Sequence, residues 1–480
     1  MITVNKEKIV KYTVLLIFIV LTLFFMFQRA PFCDEANAWM ISKSFNLFEL
    51  FKIEKLDGHL FIWHTILMPF AKNNLFYPYS MYIINWIFCI IALIIFWNKA
   101  PFNLVEKTLI TFSYPFFWYF SIVARCYSIG ILFLFLILSF WRERLKRPYL
   151  ISTLLILLAN TSAMALIGAF VLGLIFLFDL IKEKDNKKIF YSLLILSAGA
   201  IVVFFQLSEG KPLDKTLDIK DFIINIYYFL QLHITEKEIF SILTKAKFLI
   251  CALLALFLPL CFFQNKKTLF FFFGTYSLLF GLFGFIYFGH WWHYLFFFVY
   301  LIASIWLFRI ENKKEFPLVK YFNFIFLLLL IVYFLKTIFF EAKNYTYVYN
   351  SNANLVADKI KEKKLINKNS KVYTIGDFAE IATTINPYFK NLEIYNYDGQ
   401  KRFTLKGYKT NMKPFINTKE NVDKFADTLD KNKKNLAVLN ANIKTILPSK
   451  GIKYNIEYKK IYEDKNLEFL VYEIKKHKNK

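Results

Sequence analysis

The chain is poor in the features that staple small secreted proteins or hold metals. It has five cysteines in 480 residues, Cys33, Cys89, Cys126, Cys251 and Cys261, and none forms a CxxC pair. Most sit in or beside apolar runs, which argues against a disulfide framework or a zinc site and reads them as small buried hydrophobes. No Gly-rich phosphate loop occurs, so a nucleotide site has no support. No fixed-period repeat is visible. The N-terminus is basic (Lys6, Lys8, Lys11) and then apolar, without a small-residue cleavage site, so it reads as a first spanning helix and not as a removable signal peptide. Acidic residues are scarce: 35 Asp and Glu face 60 Lys and Arg, for a net charge of +25. In a soluble chain that balance would point to nucleic acid. Here much of the Lys and Arg lies in short loops between apolar runs, so nucleic acid is not the expected partner. Anionic lipid is the expected counter-charge, and an anionic lipid-linked substrate is the second candidate.

What the chain does have is apolar bulk. Hydrophobic residues make up 57% of it, and 59 residues are Phe. Lipid tolerates such a composition because spanning helices satisfy their own backbone hydrogen bonds. The expected fold class is an all-α polytopic membrane domain with about eleven spanning helices plus juxtamembrane helices, over 1–341, followed by a small soluble α/β domain over 342–480. The first spans are read near Tyr12–Gln28, Tyr79–Trp97, Lys107–Tyr119 and Tyr127–Trp141. Two segments lie between Tyr149 and Ile181, hinged at Asn160-Thr161-Ser162, and the seventh span is Ile189–Gln206. Phe248–Phe263, Leu269–Phe288, a tenth span ending at Arg309, and Val319–Phe340 complete the set. The stretch His59–Ala71 is too short to cross and reads as an interfacial helix, and Phe222–Leu232 as an amphipathic patch.

Placing the short basic loops in the cytoplasm puts Lys6–Lys11, Lys99, Arg142–Arg147, Lys182–Lys188, Lys266-Lys267 and Arg309–Lys314 inside. Asp34-Glu35, Arg125, the loop after Ser208, the His290 turn and the C-terminal domain then fall outside. The expected location is a bacterial inner membrane, multi-pass, with the N-terminus cytoplasmic and the C-terminal domain periplasmic or extracellular. That domain is Lys-rich, but long domains translocate regardless of charge. In it, Val372–Ile375, Leu392–Tyr395 and Leu436–Leu439 read as strands, Gly376-Asp377 as a turn opening a helix to Ile385, and Tyr454–Tyr458 with Leu467–Ile474 as a hairpin.

Four polar constellations interrupt the apolar pattern, each with a bland reading beside the chemical one. Cys33-Asp34-Glu35-Ala36-Asn37-Ala38-Trp39 puts two carboxylates at the membrane surface, where they need a reason; the bland reading is a helix start with Asp34 as N-cap and Glu35 in the first turn. Asp57-Gly58-His59, then Trp63-His64, is otherwise a polar turn with interfacial anchors. Arg125, in Ala124-Arg125-Cys126-Tyr127-Ser128, has to snorkel, pair with a carboxylate from another loop, or hold an anion, and a guanidinium fork suits phosphate. Gly289-His290-Trp291-Trp292-His293-Tyr294 has two His but no matching ligand set, and otherwise reads as an aromatic belt. All four fall on one expected side of the membrane.

An acidic pair after the first span, a Gly-His turn opening a short juxtamembrane helix, and Arg-x-Tyr opening the fourth span together resemble the GT-C superfamily of membrane glycosyltransferases. The nearer likenesses are the protein O-mannosyltransferases and the bacterial lipid A aminoarabinose transferases, and the Asp-Glu-Ala-x-Ala-Trp…Asp-Gly-His form looks like an uncharacterised bacterial branch. The likeness covers about residues 1 to 310 in order and topology. Leu60 stands where such proteins carry Pro, and the Trp-Trp-Asp motif of oligosaccharyltransferases is absent. Transfer of a whole oligosaccharide is therefore not expected. The resemblance requires no cofactor and leaves a divalent metal open. It implies a polyprenyl-phosphate sugar as donor, membrane lipid around the chain, and a glycan, lipid or protein as acceptor. It makes Asp34 the catalytic carboxylate, Glu35 its assistant or the acceptor's orienting group, and Arg125 the cation for the departing phosphate. Asp57, His59 and Tyr127 would bind substrate, and His290 and His293 would line the rim. The alternatives are a transporter or flippase for lipid-linked glycans, and an assembly protein working through its C-terminal domain.

Overall fold

The structure is a computed structural model, and it describes residues 2–57, 60–207, 262–286, 292–311, scattered positions between 323 and 337, and, with short gaps, 353–478. The expected patch Phe222–Leu232, the loop after Ser208, nearly all of the eighth span, most of the eleventh, and the Gly376-Asp377 turn lie outside the described residues. So do Cys251 and Cys261.

The chain divides into two compact units. The first comprises Met1–Met26, Gly58–Trp63 and Ile83–Lys343; the second comprises Phe27–Asp57, His64–Tyr82 and Asn344–Lys480. Neither is continuous in sequence, whereas sequence reading sets one boundary at 342. Two juxtamembrane segments belong with the C-terminal domain.

In chain order the described helices begin with α1 (Ile2–Phe27), α2 (Cys33–Ser44), α3 (Leu47–Asp57), α4 (Ile62–Lys72), α5 (Tyr79–Lys99) and α6 (Leu104–Thr111). After a π-helical turn, Pro115–Phe120, come α7 (Tyr127–Phe140), α8 (Pro148–Ala159), α9 (Ala163–Glu183), α10 (Asn186–Leu207), α11 (Lys266–Gly281) and α12 (Leu295–Glu311). Among the described residues, five stretches are long and apolar enough to cross a membrane: Glu7–Phe27, Tyr79–Lys99, Ala163–Glu183, Asn186–Leu207 and Lys266–Ile286. The expected third span is instead the 8-residue α6, a bend and the π-helical turn. The fourth, α7, has 14 residues. At about 1.5 Å per residue such a helix falls short of a hydrocarbon core of roughly 30 Å. The expected hinge at Asn160–Ser162 is present: α8 ends at Ala159, and the Ser162 hydroxyl accepts the Ala165 N–H to cap α9.

The long helices turn apolar side chains outward. On α5, Ile83, Ile87, Ile91 and Ile94 recur at helical spacing and are 39–44% exposed. On α10, Phe190, Leu194, Phe204 and Phe205 are 58–66% exposed. Water would penalise such faces and lipid does not. One end of this unit is charged. Arg144 pairs with Asp179 at 2.8 Å and Glu311 at 3.0 Å, and Lys267 pairs with Asp179 at 2.8 Å. Arg309 grips Glu106 through both carboxylate oxygens at 2.7 Å. These pairs gather the C-terminal ends of α9 and α12, the N-terminal ends of α6 and α11, and the Arg142–Arg147 turn after α7 onto one face. Sequence reading assigns most of those same basic clusters to one side.

In the second unit α13 (Ala353–Glu362), α14 (Glu380–Ile385) and α15 (Lys419–Thr428) accompany a five-stranded sheet. Its strands are β1 (Ser370–Tyr373), β2 (Ile394–Tyr395), β3 (Lys434–Leu439), β4 (Tyr454–Asp464) and β5 (Phe469–Lys478), in the order β2-β1-β3-β5-β4. β1 pairs in parallel with β2 and β3, and the β4–β5 hairpin adds antiparallel. Period-2 alternation gives the sheet two apolar faces. Leu436 and Val438 pack with Val356 and Ile360 of α13 and Ile385 of α14, while Ala437 and Leu439 pack with Val422 and Phe425 of α15. This is the small α/β domain expected from sequence. Helix α2 rests on α14 and on the 386–388 turn, and Ala30 enters the cluster around α13.

Candidate functional site

The acidic motif lies in the second unit, and its geometry begins with a residue that sequence reading passed over. Arg29 and Glu35 are fully buried and form a two-pronged ion pair, with Arg29 Nη1 donating to Glu35 Oε2 at 2.6 Å and Nη2 to Oε1. The same Oε2 accepts the Phe32 N–H at 2.7 Å. Glu35 thus closes the first turn of α2 from position N3, in the manner of half a capping box, because Phe32 has no acceptor to offer in return. The Arg29 guanidinium lies 4.4 Å from the centre of the Tyr82 ring. A buried guanidinium is tolerable only with such compensation.

The N-cap is therefore Phe32, with extended backbone (φ −72°, ψ 159°), and not Asp34. The expectation for Asp34 as N-cap fails because the Glu35 carboxylate already takes the Phe32 N–H, which pulls the helix start back to Cys33. Asp34 becomes the second residue of α2. It is partly exposed, and the Cys33 thiol donates to its Oδ1 at 3.8 Å. Backbone N–H groups in a first turn favour an anion. Glu35 and Asp34 are adjacent in sequence and different in setting: the first is fully buried and ion-paired, the second is partly exposed in the same first turn.

Aromatic rings finish the setting of α2. Trp39 packs against Tyr77 at 5.0 Å between ring centres, and Tyr77 against Tyr388 at 5.1 Å. Burial, then the nearby Tyr388, Tyr82 and Glu35, raise the Tyr77 phenol well above its ordinary value, with Arg29 opposing. Burial likewise raises Tyr388.

Arg125 lies in the first unit, on the non-helical stretch before α7, and is 5% exposed. Its guanidinium carbon is 5.7 Å from the centre of the Tyr127 ring. The stretch is shaped by polar side chains that satisfy carbonyls at the end of the π-helical turn. Asn85, fully buried on α5, donates to Phe120 O at 3.0 Å, Ser121 O at 3.3 Å and Val123 O at 3.1 Å. Ser128 donates to Phe120 O at 2.5 Å. An Asn inside an apolar span needs a reason, and here the reason is to hold the backbone that presents Arg125. Tyr127 is enclosed by rings, with Phe296 at 5.4 Å, Tyr119 at 5.9 Å and His293 at 6.2 Å. The Trp292 indole donates to His293 Nε2 at 3.1 Å.

Of the other expected site residues, Asp57 ends α3 with its side chain outside the described residues, and His59 and His290 lie outside them entirely. The segment beside His59 is anchored from within the first unit. The Phe61 N–H donates to Gln206 Oε1 at 3.0 Å, and Gln206 Nε2 donates to Asn160 Oδ1 at 2.9 Å. Cys33, Cys89 and Cys126 form no disulfide. Among the described residues no cluster of three His, Cys, Asp or Glu could hold a metal ion.

Sequence reading missed Arg29, Asn85 and Gln206. Arg29 left a signal, since a cation directly after an apolar span and six residues before a carboxylate can fold back on it. Asn85 and Gln206 left a weaker one, as single amides inside otherwise apolar runs. No protein-family model matches the chain, and no curated protein matches it.

Proposed function

We propose that the chain is a membrane glycosyltransferase that moves a sugar from a polyprenyl-phosphate donor onto an acceptor hydroxyl. The observation that supports it best is the contrast within the acidic pair: Glu35 is spent on Arg29 and the Phe32 N–H, while Asp34 stands partly exposed on the turn they fix. Fixed carboxylates of that kind serve as general bases. In the proposed step the acceptor oxygen attacks the anomeric carbon, its proton passes to the Asp34 carboxylate, and the bond from that carbon to the phosphate oxygen breaks. The electron pair leaves with the polyprenyl phosphate, and the sugar inverts. Arg125 neutralises the charge that develops on the departing phosphate. In this reading Asp57, His59 and Tyr127 bind substrate, and His290 and His293 serve as rim residues. Glu35 acts as a positioning residue through Arg29.

The proposal includes about eleven crossings of a bacterial inner membrane, with chemistry on the external face. The Lys267, Arg144 and Arg309 cluster supports putting those basic ends on one side.

The test is transfer by purified protein in lipid, supplied with a polyprenyl-phosphate sugar. Asp34→Asn is expected to reduce turnover by about 10²–10⁴-fold, and Arg125→Ala to weaken dependence on the lipid-linked donor. Wild-type turnover by Asp34→Asn removes the proposed base. Movement of the donor between leaflets with no product formed would assign the chain to transport instead.

A further inference from the structure

We infer that two loops of the second unit form a bilayer-docking tip that rests on anionic phospholipid headgroups. The inference is independent of the glycosyl-transfer reading. It begins with the two most exposed large apolar side chains in the described structure, Phe48 at 84% and Phe76 at 82%. They are 28 positions apart in sequence, and the segments that carry them are linked where Lys43 Nζ, at the end of α2 and five residues before Phe48, donates to Asn74 Oδ1 at 3.5 Å. Leu47 at 48% and Leu75 at 42% extend the apolar surface.

Both loops are built, not slack. Asn46 and Glu49 cap α3 reciprocally, with Glu49 N–H to Asn46 Oδ1 and Asn46 N–H to Glu49 Oε2 both at 2.9 Å, which fixes Leu47 and Phe48 in the first turn. The other loop is tied by Leu75 N–H to Phe70 O at 2.9 Å and by the Ser80 hydroxyl to Leu75 O at 2.8 Å. Within it Phe76 holds a left-handed backbone at φ 48°. That conformation is unfavourable for a bulky side chain, and here it turns an aromatic ring outward. Water returns nothing for it. The border between headgroups and acyl chains does, because aromatic rings partition there.

Chain continuity names the occupant. Tyr79 opens a 21-residue apolar span three residues after Phe76. Tyr79, Ile83, Ile87, Ile91 and Ile94 follow one another along α5 at intervals of three or four, all exposed, and Phe76 stands three residues before the stripe begins. The loop therefore sits where that span leaves the hydrocarbon. Charge names the lipid: Lys43 and Lys52 lie five and four residues from Phe48 in sequence and Lys72 four from Phe76, and cations close to exposed aromatic side chains suit a phosphate surface. The tip fixes the depth of α2, which carries Asp34 in the same unit.

The experiment uses the full chain in lipid nanodiscs. An environment-sensitive fluorophore is placed at Phe48→Cys, at Phe76→Cys, or, as a water-facing comparison in the same unit, at Ile452→Cys (58% exposed), with the five native cysteines replaced. The labels at 48 and 76 are expected to lose emission to lipids brominated near the headgroup and to be shielded from aqueous iodide, and the label at 452 to do the reverse. Should the cysteine-free chain not fold, p-benzoylphenylalanine at 48 and 76 in the native background is expected to photocross-link to phospholipid. Iodide access at 48 and 76 equal to that at 452, or no lipid cross-link, overturns the docking. Quenching should be stronger with phosphatidylglycerol than with phosphatidylcholine, and that difference should vanish in Lys52→Gln/Lys72→Gln. Equal quenching in both lipids overturns the assignment to anionic headgroups.

Discussion

The two units bury their charges differently. In the first, the ion pairs among the described residues collect at one end of the helices, and deeper inside, beside the buried Arg125, lie amides and hydroxyls bonded to backbone or to one another, such as Asn85, Ser128 and the Asn160–Gln206 pair. In the second, a fully buried guanidinium and carboxylate sit beside a helix start. Surfaces differ in the same sense. Exposed Ile, Leu and Phe cover α5 and α10, whereas in 353–478 the large exposed hydrophobics are Leu355 and Ile452 among the described residues. A chain can run through two solvents only if each segment keeps its groups suited to the local one. The buried Arg29–Glu35 pair of the second unit runs against that rule, and Glu35 is the sequence neighbour of Asp34.

The largest expected effect comes from splitting that pair. Arg29→Ala leaves Glu35 buried without its cation, and the second unit should lose about 3–5 kcal/mol. The joint replacement Arg29→Met/Glu35→Leu should recover much of it, because no lone charge remains. Thermal unfolding of the three proteins in detergent decides the matter: a single variant that melts with the wild type would show that the pair carries no structural weight. If Asp34 acts as proposed, the joint variant should fold yet turn over slowly, with loss in kcat rather than KM.

A charge placed on each surface tests the two solvents directly. Ile87→Lys puts an ammonium near the middle of α5 on its exposed stripe, at a cost of about 3 kcal/mol if that stripe faces lipid. Ile452→Lys on the β4–β5 side should stay within about 0.5 kcal/mol. Membrane insertion and melting temperature of both variants report the difference, and equal tolerance at the two positions would erase the distinction between the surfaces.

Alkali should act on the second unit through its phenols. Burial raises Tyr373, Tyr388 and Tyr458, and pushes Tyr395 up to about 12, with Glu393 adding to it. Below the ordinary phenol value of 10.0 both folded and unfolded chains keep these protons, so pH has no effect through them. Above it the unfolded chain ionises first and binds fewer protons, so stability falls as pH rises. For fully buried Tyr373 the loss at pH 11 is on the order of 1 kcal/mol. Tyrosinate absorbance should rise late and together with loss of the sheet signal; early, independent titration would contradict the burial of these rings.

Much of this plan is legible in the sequence, for identifiable reasons. A short apolar run announced β3, period-2 alternation announced the β4–β5 hairpin, and the Asn160-Thr161-Ser162 break announced the α8–α9 hinge. The bounds of α7 were close to those expected, but the break between α6 and the π-helical turn was not legible, because apolar content fixes the solvent of a segment but not where its helix breaks. At the candidate site the acidic pair stood out, yet the division of labour within it did not. Which of two neighbouring carboxylates caps a helix depends on where Arg29 folds back, and that contact is tertiary. The membership of α2 in the C-terminal unit was equally hidden, since nothing local in 27–57 encodes its packing on α14.

Helix caps give the finest comparison of the two units. Thr418 accepts the Asn421 N–H at 3.2 Å to cap α15 in the second unit, and Asn103 accepts the Glu106 N–H at 2.9 Å to cap α6 in the first. Removing either hydroxyl or amide acceptor costs about 1 kcal/mol in general. The two sites differ in what is left behind. Around α15 water can replace the lost acceptor, because Asn421 is partly buried only. Glu106 is 2% exposed, and its carboxylate is already engaged by Arg309 and by the Asn103 N–H. Its backbone N–H would therefore lose its partner beside a carboxylate that is itself buried and ion-paired, and a donor shielded from water carries a further desolvation penalty. Asn103→Ala should consequently destabilise more than Thr418→Ala. Hydrogen exchange at the amides of residues 106 and 421 measures both losses in one protein, and a larger loss at 421 would reverse the ranking.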